Sequence, residues 1–286
     1  MGRGKKKEEG GGTTRRAALT LVGVVLFGVV GVGATLGFAE VDRRAAAALA
    51  ARNGDVVIRF PLIGDDAAKG TWMPASEQER LKVAAFIAAG DPDAEGMFTR
   101  RALADVGAAL HATGWFSVPP RVERRADGGL LVDGPWRVPA AVVRRGDRET
   151  LVSWDGVALP LEYSAGGSGV RYLKNPSAEP ARGVHAAWPG KDVREGLDLL
   201  DLLDDDAAVI AQVKGIDLAS GGSMVIETES GGRVVWGAGP KASRPGEMST
   251  AQKLARVRAL LKQTGRIDGG ARVVEIHGPS VFLGRE

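Results

Sequence analysis

Ala17-Ala18-Leu19-Thr20-Leu21-Val22-Gly23-Val24-Val25-Leu26-Phe27-Gly28-Val29-Val30-Gly31-Val32-Gly33-Ala34-Thr35-Leu36-Gly37-Phe38-Ala39 runs for 23 residues without a charge, directly after Arg15-Arg16. At a helical rise of ~1.5 Å per residue it reaches roughly 35 Å, enough to cross a hydrocarbon core of about 30 Å with some tilt. The segment before it carries Arg3, Lys5, Lys6, Lys7, Arg15 and Arg16 against Glu8 and Glu9. A short cationic flank stays in the cytoplasm, so the sequence predicts a membrane helix from Ala17 to Ala39 with everything after it outside. A cleavable signal has a shorter apolar region, about 7–15 residues, and a small-x-small cleavage site. Gly37-Phe38-Ala39 offers such a site and Thr14-Arg15-Arg16 resembles a twin-arginine signal, but the length of the run favours an anchor. Gly33 and Gly37 form a G-x-x-x-G pair that would let two membrane helices approach.

Charge places function outside the nucleic-acid class. The net charge is +3, the basic tail carries a surplus of four, and the remainder therefore sums to −1. A nucleic-acid-binding domain needs a basic surface on its folded part, and none is expected here. The chain of 286 residues has no cysteine, which excludes disulfides, thiol nucleophiles and cysteine-based metal sites.

The part beyond the apolar run reads as an α+β protein in two units. Residues 40–53 are alanine-rich and charged, a helical linker. Val56 to Phe60 reads as a strand stopped by Pro61. Ser76-Glu77-Gln78-Glu79 looks like a capping box, followed by a helix with Val83, Phe86 and Ile87 on one face. Thr99 is placed to cap a second helix bearing Leu103, Val106 and Leu110, closed by Gly114. Strands follow from Arg121 to Arg125, from Leu130 across the Asp127-Gly128-Gly129 turn, and from Val138 to Arg144. The first unit is thus β-α-α-β-β over residues 54–145. The second, residues 146–286, is expected to be a mostly antiparallel β-domain with two helices. It has a hairpin from Thr150 to Leu159 about Asp155-Gly156, a helix from Val193 to Leu203 and a strand from Ala208 to Leu218. A second hairpin spans Ser230-Gly231-Gly232. A helix capped by Ser249 and closed by Gly265 precedes final strands at Arg272 to Ile276 and Ser280 to Leu283.

No constellation of residues points to catalysis, metal or cofactor. His111, His185 and His277 share no metal-ligand spacing. Ser168 lies in Gly-Gly-Ser-Gly without the elbow of a nucleophilic serine. Asp198, Asp201 and the run Asp204-Asp205-Asp206 read as the wet face and polar exit of a leucine-rich helix. Arg124-Arg125 and Arg144-Arg145 read as exposed strand residues, and Trp115, Trp136, Trp154 and Trp236 as core. The feature that does suggest a task is the last strand. A terminal strand commonly lies at a sheet edge, where unpaired N–H and C=O groups invite another chain to pair. Alternation would put Phe282 on one face and Val281 with Leu283 on the other.

A family resemblance comes from the order of several short segments. They are Leu110-His111-Ala112-Thr113-Gly114-Trp115-Phe116, Val122-Glu123-Arg124-Arg125, Gly129-Leu130-Leu131-Val132, Trp136-Arg137-Val138-Pro139-Ala140-Ala141-Val142 and Leu151-Val152-Ser153-Trp154-Asp155-Gly156-Val157. Downstream come Ile226-Glu227-Thr228, Val235-Trp236-Gly237, Lys253-Leu254 and Gly265-Arg266-Ile267-Asp268. With the basic tail and apolar run, this order resembles the FtsQ/DivIB family of bacterial cell-division proteins, which carry a polypeptide-transport-associated (POTRA) unit and a β-domain. The resemblance implies a non-enzymatic, single-pass scaffold of the cytoplasmic membrane. Its N-terminus would be inside and its folded domains outside, at the division septum. The implied partners are small septal proteins of the FtsB and FtsL type, other division proteins at the first unit, and the lipid bilayer. In the family the last strands take up the small partners. That role falls here on Val273, Val274, Glu275, Ile276 and His277, and on Ser280, Val281, Phe282 and Leu283. The alternative is a tethered or exported envelope enzyme of glycan hydrolase type, needing two carboxylates across a cleft. Glu123, Glu162, Glu227 and Glu275 are available, and sequence pairs none of them. A translocator with an outer-membrane barrel is a third reading, but no barrel-length series of strands follows.

Overall fold

The computed structural model describes residues 56–62, 70–90, 100–126, 129–180, 183, 185–220, 222–242 and 244–284. The first unit opens with β1 (Val56–Ile58), α1 (Ala75–Ala89), α2 (Arg100–Ala112), β2 (Arg121–Arg124) and β3 (Leu130–Asp133). β3 lies in the middle of the three-stranded sheet, parallel to β1 and antiparallel to β2. α1 and α2 bury Leu81, Ala85, Val106 and Leu110 against Val56, Ile58, Leu130 and Val132. Trp115 and Phe116, just after the turn at Gly114, are fully enclosed in the same core. Burial of such a side chain is worth about 1.5–3 kcal/mol, so this pair anchors the end of α2. The Trp115 indole still needs an acceptor and finds one in the Glu77 carboxylate at 3.1 Å.

The remaining elements build one large sheet. They are β4 (Pro139–Arg145), β5 (Arg148–Ser153), β6 (Ala158–Ser164), β7 (Tyr172–Lys174), α3 (Asp192–Asp204), α4 (Ala207–Ile210), β8 (Val213–Ser220), β9 (Ser223–Thr228), β10 (Arg233–Gly237), α5 (Thr250–Thr264), β11 (Val273–Glu275) and β12 (Phe282–Gly284). The strand order is β12-β11-β10-β9-β8-β7-β4-β5-β6. Leu173, Ile216, Ile226, Val234, Trp236 and Val274 form the sheet side of a core that α3, α4 and α5 supply from above with Leu197, Leu200, Val209, Leu254 and Val257. α3 settles close on the sheet at Gly196, where a Cβ would lie 2.9 Å from Leu218 and 3.0 Å from Leu173. Alternate strand residues, Val142, Leu151 and Tyr172, join the core of the first unit instead. The two units therefore share a packed boundary.

Several expectations need correction. No helix among the described residues is long and apolar enough to cross a membrane. The span expected from Ala17 to Ala39, with its flanking charges and the helical linker, lies outside the described residues, as do Thr99 and the turn residues Asp127-Gly128. The fold is α+β and most pairings in the strand-rich unit are antiparallel, but the unit carries more than the two helices expected and its sheet is not antiparallel throughout. Its sheet is mixed, with β4 parallel to β7, β7 to β8 and β10 to β11, and three helices belong to it. The strand at Val138 to Arg144 joins this large sheet and not the three-stranded one. Ser76 does not cap α1, which starts at Ala75 after Pro74 without a side-chain cap, and Ile87 points outward at 63% exposure. The stretch from Ala208 is not strand from its start. Asp206 accepts from the backbone N–H groups of Ala208 and Val209 and winds a short helix before β8.

Candidate functional site

The C-terminal edge is built from α5 outward. Ser249 and Gln252 form a capping box at its start, and Gly265 closes it in the left-handed conformation at φ 74°. Arg266, Ser230, Thr228 and the Gly270 N–H then converge on the fully buried Asp268 carboxylate. Burial pushes this carboxyl up, but the hydrogen bonds outweigh it and hold it at about 2. Asp268 thereby ties the β9–β10 turn to the entry of β11. Val274 and Ile276 enter the core, and the chain reverses through His277 to Ser280.

Arg256, reaching over from α5, fixes that reversal. Its guanidinium donates to the carbonyl oxygens of Ile276 at 2.9 Å, Gly278 at 2.5 Å and Pro279 at 2.7 Å. β12 then pairs antiparallel with β11, Glu275 opposite Phe282 and Val273 opposite Gly284. Among the described residues no strand pairs with the outer edge of β12. Val281, Phe282 and Leu283 are 39%, 63% and 49% exposed. Three consecutive apolar side chains thus stand in solvent beside a free row of backbone donors and acceptors, the condition for strand addition. The opposite edge of the sheet, β6, carries Pro160 in mid-strand, where it removes an N–H and blunts pairing.

The nine residues proposed for partner capture divide between core and surface. Val274 and Ile276 are fully buried and cannot touch a partner. Val273 and His277 are half-buried; Glu275, Ser280, Val281, Phe282 and Leu283 are exposed. The solvent-facing part of the set is therefore the outer strand and its turn. Arg256 and Asp268, which position that strand, were missed, because each acts through partners distant in sequence.

The four carboxylates considered for hydrolysis do not share a cleft. Glu123 lies on the three-stranded sheet and pairs with Arg121 at 2.5 Å. Glu162, on the far edge strand β6, faces Arg148 at 3.5 Å. Glu227 accepts from the Tyr172 hydroxyl at 2.5 Å and from Lys174 at 2.6 Å. Burial raises the Glu227 carboxyl, but Lys174 and Tyr172 overcome this and leave it below the ordinary carboxylate range. It is an ionised member of an ion-pair row with Lys174, Asp217 and Arg233. Glu275 is exposed on β11.

Of the three histidines, His111 and His185 stack on each other at the boundary between the units, and His277 lies in the β11–β12 turn. Asp206 caps α4, and Asp198 pairs with Lys241 at 2.8 Å. Ser168 is buried, and its N–H donates to the Glu149 carboxylate. No family model matches the chain, and no curated protein matches it significantly.

Proposed function

We propose that the protein is a non-enzymatic scaffold of the bacterial division septum, of the FtsQ/DivIB kind, that captures small septal partners by adding their strands to β12. The observation that carries this reading is the terminal strand, with its three exposed apolar side chains and unpaired outer edge. The guarded opposite edge at Pro160 supports the same end of the sheet as the acceptor. Further support comes from the β-α-α-β-β order of the first unit and from the segments of sequence that resemble the family. The cationic N-terminal segment favours a location on the cytoplasmic membrane with the folded part outside.

The mechanism is one of effective concentration. The β12 edge would hold FtsB- and FtsL-type segments while the first unit contacts other division proteins. Their encounter then becomes nearly intramolecular, so weak pairwise contacts suffice. Main-chain hydrogen bonds along β12 supply affinity, and Val281, Phe282 and Leu283 supply selection by side-chain fit.

The test is depletion in the source cell, complemented by a fluorescent fusion. Midcell localisation of the fusion, with filamentation on depletion, is expected. Uniform envelope signal with normal septation would remove the division role.

A further inference from the structure

Arg137, between β3 and β4, joins three parts of the molecule. Its backbone N–H donates to Trp115 O at 2.8 Å, and its guanidinium donates to Phe116 O at 2.6 Å. A longer contact reaches Gly114 O at 3.4 Å, and Nε faces Asp155 Oδ2 in the β5–β6 turn at 3.3 Å. The same Nη1 lies 2.8 Å from His185 Nδ1. Arginine only donates, so Nδ1 must be the bare acceptor nitrogen and the proton must sit on Nε2. His185 is neutral in this arrangement. Its ring stacks on His111, at the end of α2, with centroids 3.9 Å apart and planes 12° from parallel.

Two features show that this arrangement is held under tension. His185 has φ 73°, a left-handed conformation that is strained for a non-glycine residue. Its Nε2 is buried without a hydrogen bond of good geometry among the described residues, although the His111 main chain lies close to the ring. Water can satisfy Nε2 once the ring leaves its buried site. The ends of its loop are fixed independently. Ala187 bridges Val157, the Trp188 N–H donates to Gly156 O, and the Trp188 indole donates to Ala178 O.

We propose that the His111–His185 stack on Arg137 is a proton-operated clasp that fastens the first unit to the large sheet and opens in mildly acidic surroundings. A proton added at Nδ1 would set N–H against N–H and place a cation against the Arg137 guanidinium. That contact must break. Arg137 keeps Phe116 O and Asp155, so His185 is the group that departs. The groups facing the ring are the His111 ring and main chain from α2, and Arg137, itself backed by Asp155. Burial lowers the His185 pKa most, then His111 and Arg137, with the His111 main chain opposing them. A base held neutral in the folded state binds fewer protons than the released one. The clasp is thus intact above the ordinary imidazole value of about 6.5 and is lost as pH falls through it toward the lowered folded value.

The test uses the ¹⁵N-labelled full chain, which has three histidines, each assignable by one substitution. Long-range ¹H–¹⁵N spectra would be followed from pH 8 to 4.5, with amide exchange corrected for its intrinsic pH dependence. We expect His185 in the Nε2–H form at neutral pH, titrating below about 6.5. Exchange at residues 111–117 and 185–188 should rise across that step, because the released histidine binds the proton that the clasped one excludes. In His185→Gln the side-chain amide oxygen replaces Nδ1 as acceptor and cannot titrate, so the step should vanish. Titration of His185 at or above its ordinary value, or a step unchanged in H185Q, overturns the proposal. Should the variant fail to fold, the wild-type titration decides alone.

Discussion

Arg256 donates from Nη1 to the carbonyl oxygen of Ile276 at 2.9 Å, and so a helix residue sets the position of the last strand. With its bonds to Gly278 and Pro279, it closes a turn whose own backbone pairs little. Charge-assisted hydrogen bonds contribute about 1.5–3 kcal/mol each at most, and members of one guanidinium do not add. Arg256→Ala should therefore destabilise the protein by about 2 kcal/mol in chemical denaturation. It should also raise amide exchange from Ile276 to Gly284 while leaving β8 and β9 protected. Arg256→Lys, with one ammonium in place of a planar fork, should recover only part of the protection.

Asp268 carries the acid sensitivity of the same corner. Its carboxyl, held at about 2 in the folded state, lies below the ordinary aspartate value of 3.8. The stabilisation is fully present above the unfolded value and is lost as pH falls from there through about 2. Asp268→Asn should flatten the acid limb of the stability–pH curve in that window. Asp268→Ala leaves the Ser230, Thr228 and Gly270 donors and the Arg266 guanidinium without their acceptor. It should cost about 3 kcal/mol in urea denaturation at neutral pH.

Gly215 is required by packing. It stands opposite Tyr172 on β7 and Glu227 on β9, and a Cβ there would collide with the Tyr172 ring and its carbonyl oxygen. The absent side chain lets the ring cross the strand and donate to Glu227. Gly215→Val should break that bond and separate β7 from β8, lowering the melting temperature by several degrees or preventing folding. The double variant Gly215→Ala with Tyr172→Phe should be less damaging than the sum of its parts, since the two sites touch.

Local chemistry made some elements legible. Ser249 and Gly265 announced α5, and the glycine turns announced the β5–β6 and β9–β10 hairpins, because caps and tight turns are short-range devices. Ile87 was misread as core because it sits at helical spacing from Val83, while the packed face of α1 runs through Leu81 and Ala85. Asp206 ends an acidic run that reads as a solvated tail, yet its side chain starts a helix. The parallel pairings were not legible, since β4 meets β7 only after two intervening strands and β7 meets β8 only after two helices. The edge position of Phe282 was anticipated from its place in the sequence. The burial of Val274 and Ile276 was not, because a three-residue strand has too little alternation to reveal which neighbours cover it.

Substitution at Phe282 separates the stability of the fold from the proposed capture. At 63% exposure its side chain contributes little to the folded core, so Phe282→Asp should shift the melting temperature by no more than about a degree, as surface substitutions usually do. The same change puts a carboxylate on the outer strand, where an added apolar strand would have to desolvate it. Binding of an FtsB- or FtsL-type segment should weaken by tenfold or more, measured by calorimetry or by pull-down with the full chain. Ser280→Pro removes a donor from the turn without adding charge and should weaken capture less. Val274→Asp, by contrast, buries a charge in the core and should unfold β11 and β12 together. Equal loss of capture in F282D and a control charge placed on the guarded edge at Glu162→Lys would place the contact somewhere other than β12.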